Sequence, residues 1–176
     1  MSTPASREFA PDTAADLRRS GWTIVEIPAG LTLALLRQHG APFRGDRYFR
    51  DLAARVVEAP TRTQSVAYRP AILPGSLNRR YDECEELLAG FNRSVPVGCR
   101  AIIGQAAVYV QILWCHCQAT GEFPLAGGYT WASETYPEGH LVVGVFGRER
   151  PLVVGPHPKS GRGIGVMPLI VPAEGG

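Results

Sequence analysis

The chain has 176 residues, a formal net charge of +2 and 45% hydrophobic residues. This length supports one hydrophobic core, because chains below about 250 residues rarely divide into several domains. The small net charge excludes a global field strong enough to attract nucleic acid or an anionic membrane. Residues 37–100 nevertheless carry eleven arginines against seven acidic residues, so the middle third is modestly basic.

The first half of the sequence predicts short helices and strands. Pro11–Ser20 has proline near its start, acidic residues early and arginines late, which is typical of a helix. A later helix is predicted to be capped by Ser76 or Asn78 and to have an acidic outer face. In chain order, we predict helices at 11–20, 31–39, 46–56 and 77–91, and strands at 22–27 and 63–69.

The second half is divided by glycines into runs of β-branched and aromatic residues, which are typical of strands. The clearest is a hairpin in which Leu141–Phe146 and Pro151–Val154 flank the polar turn Gly147–Arg150. In residues 106–117 apolar side chains occupy both odd- and even-numbered positions, as in a strand that is buried on both faces. We predict strands at 99–104, 106–117, 127–133, 140–147, 151–155 and 163–171.

These elements predict an α+β fold. N-terminal helices pack on a C-terminal antiparallel sheet that is strongly curled toward a barrel and leaves a pocket at one end. We expect a single domain at residues 11–171 between flexible tails at 1–10 and 172–176. The sequence shows no repeat and no resemblance to a known family that covers the chain.

The four cysteines, Cys84, Cys99, Cys115 and Cys117, follow an N-terminus without the apolar segment of a secretory signal. We therefore expect free thiols in a cytoplasmic protein. The uncharged run 101–121 has the length of a membrane span. It contains three glutamines, a histidine and two glycines, so we predict that it is buried in protein and that the chain has no membrane partner.

The sequence Cys115-His116-Cys117 is the most distinctive cluster of reactive side chains. On a strand the two thiols would share one face, about 6.5–7 Å apart at Cα, and the histidine would face the other way. Two thiolates could begin a zinc site, but no further ligand lies at a recognised spacing. We therefore predict buried thiols, no metal and no cofactor. The candidate ligands for such a site would be Cys84, Cys99, His140 and His157.

A catalytic hypothesis uses Cys117 as a nucleophile, His140 as its base and Glu134 to orient the imidazole, as in a hydrolase or transferase. His116 is excluded as the base for Cys117 if both lie on a strand. No P-loop, HExxH or GxSxG motif supports another reaction.

The main functional hypothesis is a protein that binds a small, anionic molecule in the pocket at one end of the sheet. Arg69, His140 and Arg162 would supply polar contacts, and Tyr68 and Trp131 would form walls. A third hypothesis is a non-catalytic assembly protein whose apolar strands complete a homo-oligomer or bind a partner. The sequence leaves all three open.

Overall fold

The computed structural model describes residues 8–45, 59–62, 64–136, 139–158 and 162–173. Within these ranges the chain forms four α-helices and nine strands. The helices are α1 (Pro11–Arg19), α2 (Leu33–Gln38), α3 (Tyr81–Phe91) and α4 (Ala106–Thr120), with a 3-10 turn at Asn92–Ser94. The strands are β1 (Thr23–Ile27), β2 (Phe43–Gly45), β3 (Gln64–Tyr68), β4 (Cys99–Ile102), β5 (Tyr129–Tyr136), β6 (Gly139–Gly144), β7 (Leu152–Pro158), β8 (Ile164–Gly165) and β9 (Leu169–Pro172). The predicted helix at 46–56 lies outside the described residues.

The strands form two sheets. The first is antiparallel, in the order β1-β3-β9-β4. The second has the order β2-β7-β6-β5-β8 and is strongly curled into a half-barrel, and its outer pairs, β2 with β7 and β5 with β8, are parallel. The predicted α+β class is confirmed. The predicted hairpin is also confirmed, since β6 and β7 pair antiparallel from Gly139 opposite Pro158 to Gly144 opposite Val153.

Helix α4 corrects one prediction, because residues 106–117 form a helix and not a strand. Its side chains are buried nearly all round over its first two turns, from Ala106 to Leu113. They pack in one core with residues from the inner faces of both sheets, so α4 lies between the sheets. The helix ends at Gly121, whose positive φ of 75° is readily adopted by glycine. Among the described helices, none is long and apolar enough to cross a membrane.

The start of α3 differs from the prediction. The helix begins at Tyr81, and neither predicted cap residue caps it. The Ser76 hydroxyl instead accepts a hydrogen bond from the Val166 amide (3.0 Å), and Asn78 Oδ1 accepts one from the Gly163 amide (2.7 Å). These two side chains therefore attach the segment before α3 to the chain around β8.

The Tyr109 hydroxyl connects α4 to the first sheet. It donates to the carbonyl of Met167 (2.8 Å), just before β9, and accepts from the amide of Gly104 (3.1 Å), just after β4. The side chain is fully buried, and burial raises the pKa of this phenol above its ordinary value. It stays protonated and keeps both hydrogen bonds at neutral pH.

Candidate functional site

Strand β5 presents alternate residues to opposite faces of the second sheet. Trp131, Ser133 and Thr135 face α3, whereas Ala132 packs in the core around α4 and Glu134 contacts the first residue of α4. On the α3 side, Thr135 lies directly opposite His140 on β6, and His140 lies opposite His157 on β7. Polar residues from three neighbouring strands therefore form one row beneath α3.

Four aromatic side chains pack together at this row. The His140 ring stacks on Tyr81 of α3, with centroids 3.4 Å apart and planes 6° apart. The buried Trp131 meets both rings edge-on, at 5.9 Å from Tyr81 and 6.4 Å from His140, and it also contacts His157. The Trp131 indole donates to the carbonyl of Arg79 (3.3 Å). The fully buried Trp131 therefore packs beneath the Tyr81 and His140 rings and supports them.

A cavity of about 400 Å³ opens beside the stacked Tyr81 and His140 rings, and we call it the α3 cleft. Its volume is within the range of small-molecule sites. Among the described residues, six line it: Tyr81, Asp82, Glu85, Ser133, Thr135 and His140.

Acidic groups determine the charge of the α3 cleft. A hydrogen bond from Arg80 lowers the pKa of Asp82 to about 2, so this carboxylate is ionised at neutral pH. Burial, with a further effect of the nearby Glu85 carboxylate, raises the pKa of Tyr81 to about 12, so its phenol remains a neutral donor. The site thus combines two carboxylates on α3, of which Asp82 is ion-paired with Arg80, with hydroxyl groups and a histidine.

Two further depressions share lining residues with the α3 cleft. One, of about 300 Å³, lies between α3 and the edge of β4 and shares Tyr81 and Glu85 with the cleft. The other, of about 390 Å³, shares Ser133 with the cleft and has Arg62 in its wall. Ile102 and Ile103 line both depressions. We call these three neighbouring cavities the groove.

Glu134, the predicted orienting residue of the catalytic hypothesis, serves the fold of α4. Both of its carboxylate oxygens accept a hydrogen bond from the Ala106 amide, with N–O distances of 2.9 and 3.0 Å. Burial raises the pKa of Glu134 above its ordinary value despite this hydrogen bond. Cys117 lies eleven residues further along the same helix, about 16 Å away at 1.5 Å per residue. The structure therefore does not bring Cys117 next to Glu134.

The histidine nearest to Cys117 in sequence has a different environment. His116 Nδ1 lies 3.2 Å from the Tyr68 hydroxyl, and its Nε2 lies 3.5 Å from the carboxylate of Glu122. Tyr68, predicted as a ligand wall, is buried against α4 on the inner face of the first sheet. Burial raises its pKa, and the neighbouring Cys115 adds to this effect. Tyr68 therefore does not face the α3 cleft.

The two predicted ligand-binding arginines also lie outside the α3 cleft. The Arg69 guanidinium lies 4.7 Å from the Trp22 ring centroid, donates to the Ser20 carbonyl and lines a separate depression of about 240 Å³. Arg162 is exposed in the turn before β8. Of the five residues predicted to bind ligand, the structure brings together Trp131 and His140.

Sequence reasoning missed most of the residues that line the α3 cleft. Asp82 and Glu85 belong to the acidic outer face predicted for this helix, and Tyr81 was not singled out as a site residue. Ser133 and Thr135 share the parity of Trp131 on β5. This alternation of an aromatic residue with two hydroxyl residues was the signal available in the sequence.

Burial works against activation of the thiols of Cys84, Cys99 and Cys115. The cysteines are free, and burial raises the pKa of Cys84 to about 11 and raises the pKa values of Cys99 and Cys115. Thiolates, the reactive form, are therefore scarce at these three positions at neutral pH. Within the described parts of the chain, no three histidine, cysteine, aspartate or glutamate side chains are grouped so that they could hold a metal ion.

Comparison of the chain with protein families, curated proteins and solved structures finds no match. Its function must therefore be argued from the α3 cleft and the groove themselves.

Proposed function

We propose that the protein binds a small cationic ligand in the α3 cleft. The observation that carries this proposal is the convergence of two carboxylates, Asp82 and Glu85, with the stacked rings of Tyr81 and His140 around one cavity of about 400 Å³. An ammonium or guanidinium group is attracted by carboxylates and by the faces of aromatic rings. Ser133 and Thr135 add hydroxyl groups that orient the polar part of such a ligand.

This proposal keeps the predicted small-molecule function and reverses the predicted charge of the ligand. An anionic ligand was expected because arginines were predicted to converge with His140. Among the described residues, neither Arg69 nor Arg162 lines the α3 cleft, and its lining contains no lysine or arginine, although Arg80 pairs with Asp82. The catalytic and assembly hypotheses stay predictions, without a comparable group of side chains to favour them.

Isothermal titration calorimetry with two ligands of similar length tests the charge preference. Putrescine carries two ammonium groups on a four-carbon chain, and succinate carries two carboxylates. We expect putrescine to bind and succinate not to bind. Replacing Glu85 by glutamine should weaken putrescine binding by about fivefold, because one exposed charge contact contributes up to about 1 kcal/mol.

The matched control is Glu86→Gln. Glu86 is the next residue on α3, is exposed and does not line the α3 cleft, and its substitution removes the same charge. We expect it to leave putrescine affinity within about twofold of wild type at 0.15 M salt, where distant charges are screened. Equal weakening by the two variants, or preferential binding of succinate, would contradict the proposal.

A further inference from the structure

Strand β4 forms one edge of the first sheet. One side of β4 pairs with β9, and the other side faces α3 across the groove. At Ala101 this open side is occupied by the side chain of Asn92. The Ala101 amide donates to Asn92 Oδ1 (2.6 Å), and Asn92 Nδ2 donates to the Ala101 carbonyl (3.2 Å). The side-chain amide of Asn92 thus makes the two hydrogen bonds that a neighbouring strand would make.

The open side continues at Ile103. Because the hydrogen-bonding direction alternates along a strand, the amide and carbonyl of Ile103 face the same side as those of Ala101, two residues earlier. Within the described residues, no hydrogen bond to the Ile103 backbone is found. The chain leaves β4 here, and the carbonyl of the next residue, Gly104, accepts a hydrogen bond from the Ser133 amide of β5 (2.9 Å).

Among the described residues, the edge of β4 therefore has a gap at Ile103, beyond the position that Asn92 occupies. Ile103 is only 9% exposed, and a backbone amide and carbonyl in a mostly buried position strongly favour a hydrogen-bond partner. The peptide unit of an extended chain supplies a donor and an acceptor at the spacing that a strand edge requires.

This gap opens into the groove. Ile103 lines the two depressions that adjoin the α3 cleft, so a chain paired with Ile103 has one neighbouring position beside Glu85 and another beside Arg62. The carboxylates of Glu85 and Asp82 complement a cationic side chain, and Arg62 complements a carbonyl or carboxylate further along.

We propose that the ligand of the groove is an extended peptide segment that pairs its backbone with Ile103 and places a lysine or arginine side chain in the α3 cleft. This inference rests on the proposed function, because the same two carboxylates receive the cation. It adds the ligand class, namely a peptide held by strand addition, and it adds Ile103 as the residue whose backbone recognises it.

The first test measures the affinities of several short peptides for the full chain in solution. The probe is the acetylated and amidated peptide Ala-Val-Lys-Val-Ala, together with three versions that each carry one N-methylated backbone amide. We expect the parent peptide to bind about tenfold more tightly than putrescine, because two backbone hydrogen bonds are added to the charge contact. At least one N-methylated version should lose about tenfold in affinity, since methylation removes a donor and obstructs pairing.

The second test locates the contact without a substitution. In ¹⁵N-labelled protein, adding the parent peptide should shift the amide resonance of Ile103 and slow its hydrogen exchange, whereas the amide of Glu86 should not change. Replacing the peptide's lysine by glutamate should abolish binding. These readouts follow the backbone contact and the charge contact separately.

The outcomes separate this inference from the proposed function. If putrescine binds through Glu85 but the peptide binds no more tightly and leaves Ile103 unchanged, the peptide class is wrong and the cation site stands. If all three N-methylated peptides bind like the parent, strand addition is wrong. If neither putrescine nor the peptide binds, both proposals fail.

Discussion

Replacing Tyr109 by phenylalanine should destabilise the protein far more than the loss of a single oxygen atom suggests. The substitution leaves the ring in place but removes the partner of the Met167 carbonyl and of the Gly104 amide. Each buried backbone group without a partner costs about 1–3 kcal/mol. Because relaxation or an entering water molecule would recover part of this cost, we expect the free energy of unfolding to fall by about 2–4 kcal/mol. That is a large part of the 5–15 kcal/mol typical of a domain.

Urea unfolding, followed by tryptophan fluorescence and circular dichroism, measures this loss. With a dependence of about 2 kcal/mol per molar urea, the midpoint should fall by about 1–2 M. Tyr129→Phe is the matched control, since Tyr129 is partly buried and its hydroxyl has no hydrogen bond within the described residues. Its midpoint should move by less than about 0.3 M. Equal midpoints for the two variants would refute the assigned role of the Tyr109 hydroxyl.

Two further predictions follow from ionisable groups. Burial raises the folded-state pKa of Glu134, so the stability that it contributes is complete below its unfolded pKa and is lost as pH rises through the folded-state value. Glu134→Gln keeps an acceptor for the Ala106 amide, so its stability relative to wild type should increase as pH rises above about 4.3, the ordinary pKa of a glutamate, and a constant difference in urea titrations would contradict this. Cys84 is buried with a pKa raised to about 11, and Cys117 packs partly against the core around α4. Iodoacetamide followed by mass spectrometry should therefore modify both slowly in the native state and rapidly in denaturant, and rapid native labelling of Cys117 would instead favour the catalytic hypothesis.

Local patterns predicted much of the fold. The β6–β7 hairpin combines two apolar runs with a short polar turn, and α1 has the expected charges at both ends, so neighbouring residues were sufficient for these elements. Helix α4 was misassigned because its first two turns are surrounded by protein. A helix that is apolar on all sides has no polar stripe, so its sequence lacks the 3.6-residue period by which helices are recognised. The signals that could have identified it were its length and Gly121 as a terminating residue.

The candidate site was less predictable because its residues come together only in the tertiary structure. Trp131 and His140 were selected for their chemistry, and the antiparallel register of β5 and β6 brings them together. The second wall is supplied by α3, and nothing in the sequence near Tyr81 indicates that this helix covers the second sheet. Cys115 and Cys117 were predicted to share one face because they were assigned to a strand. They lie on helix α4, so that prediction loses its physical basis.

The position of β9 has a consequence for how the chain folds. This strand follows all the others in sequence but lies inside the first sheet, between β3 and β4, and Ala67 on β3 pairs with Ile170, about 100 residues later. Until β9 docks, β1 and β3 form only a two-stranded ribbon, which is marginally stable by itself. Contacts of such long sequence separation carry a high contact order, so folding should be limited by the docking of β9 and should take milliseconds to seconds. A nascent chain that does not yet include β9 cannot complete this sheet, so the apolar residues of β1, β3 and β4 remain exposed until β9 has been synthesised.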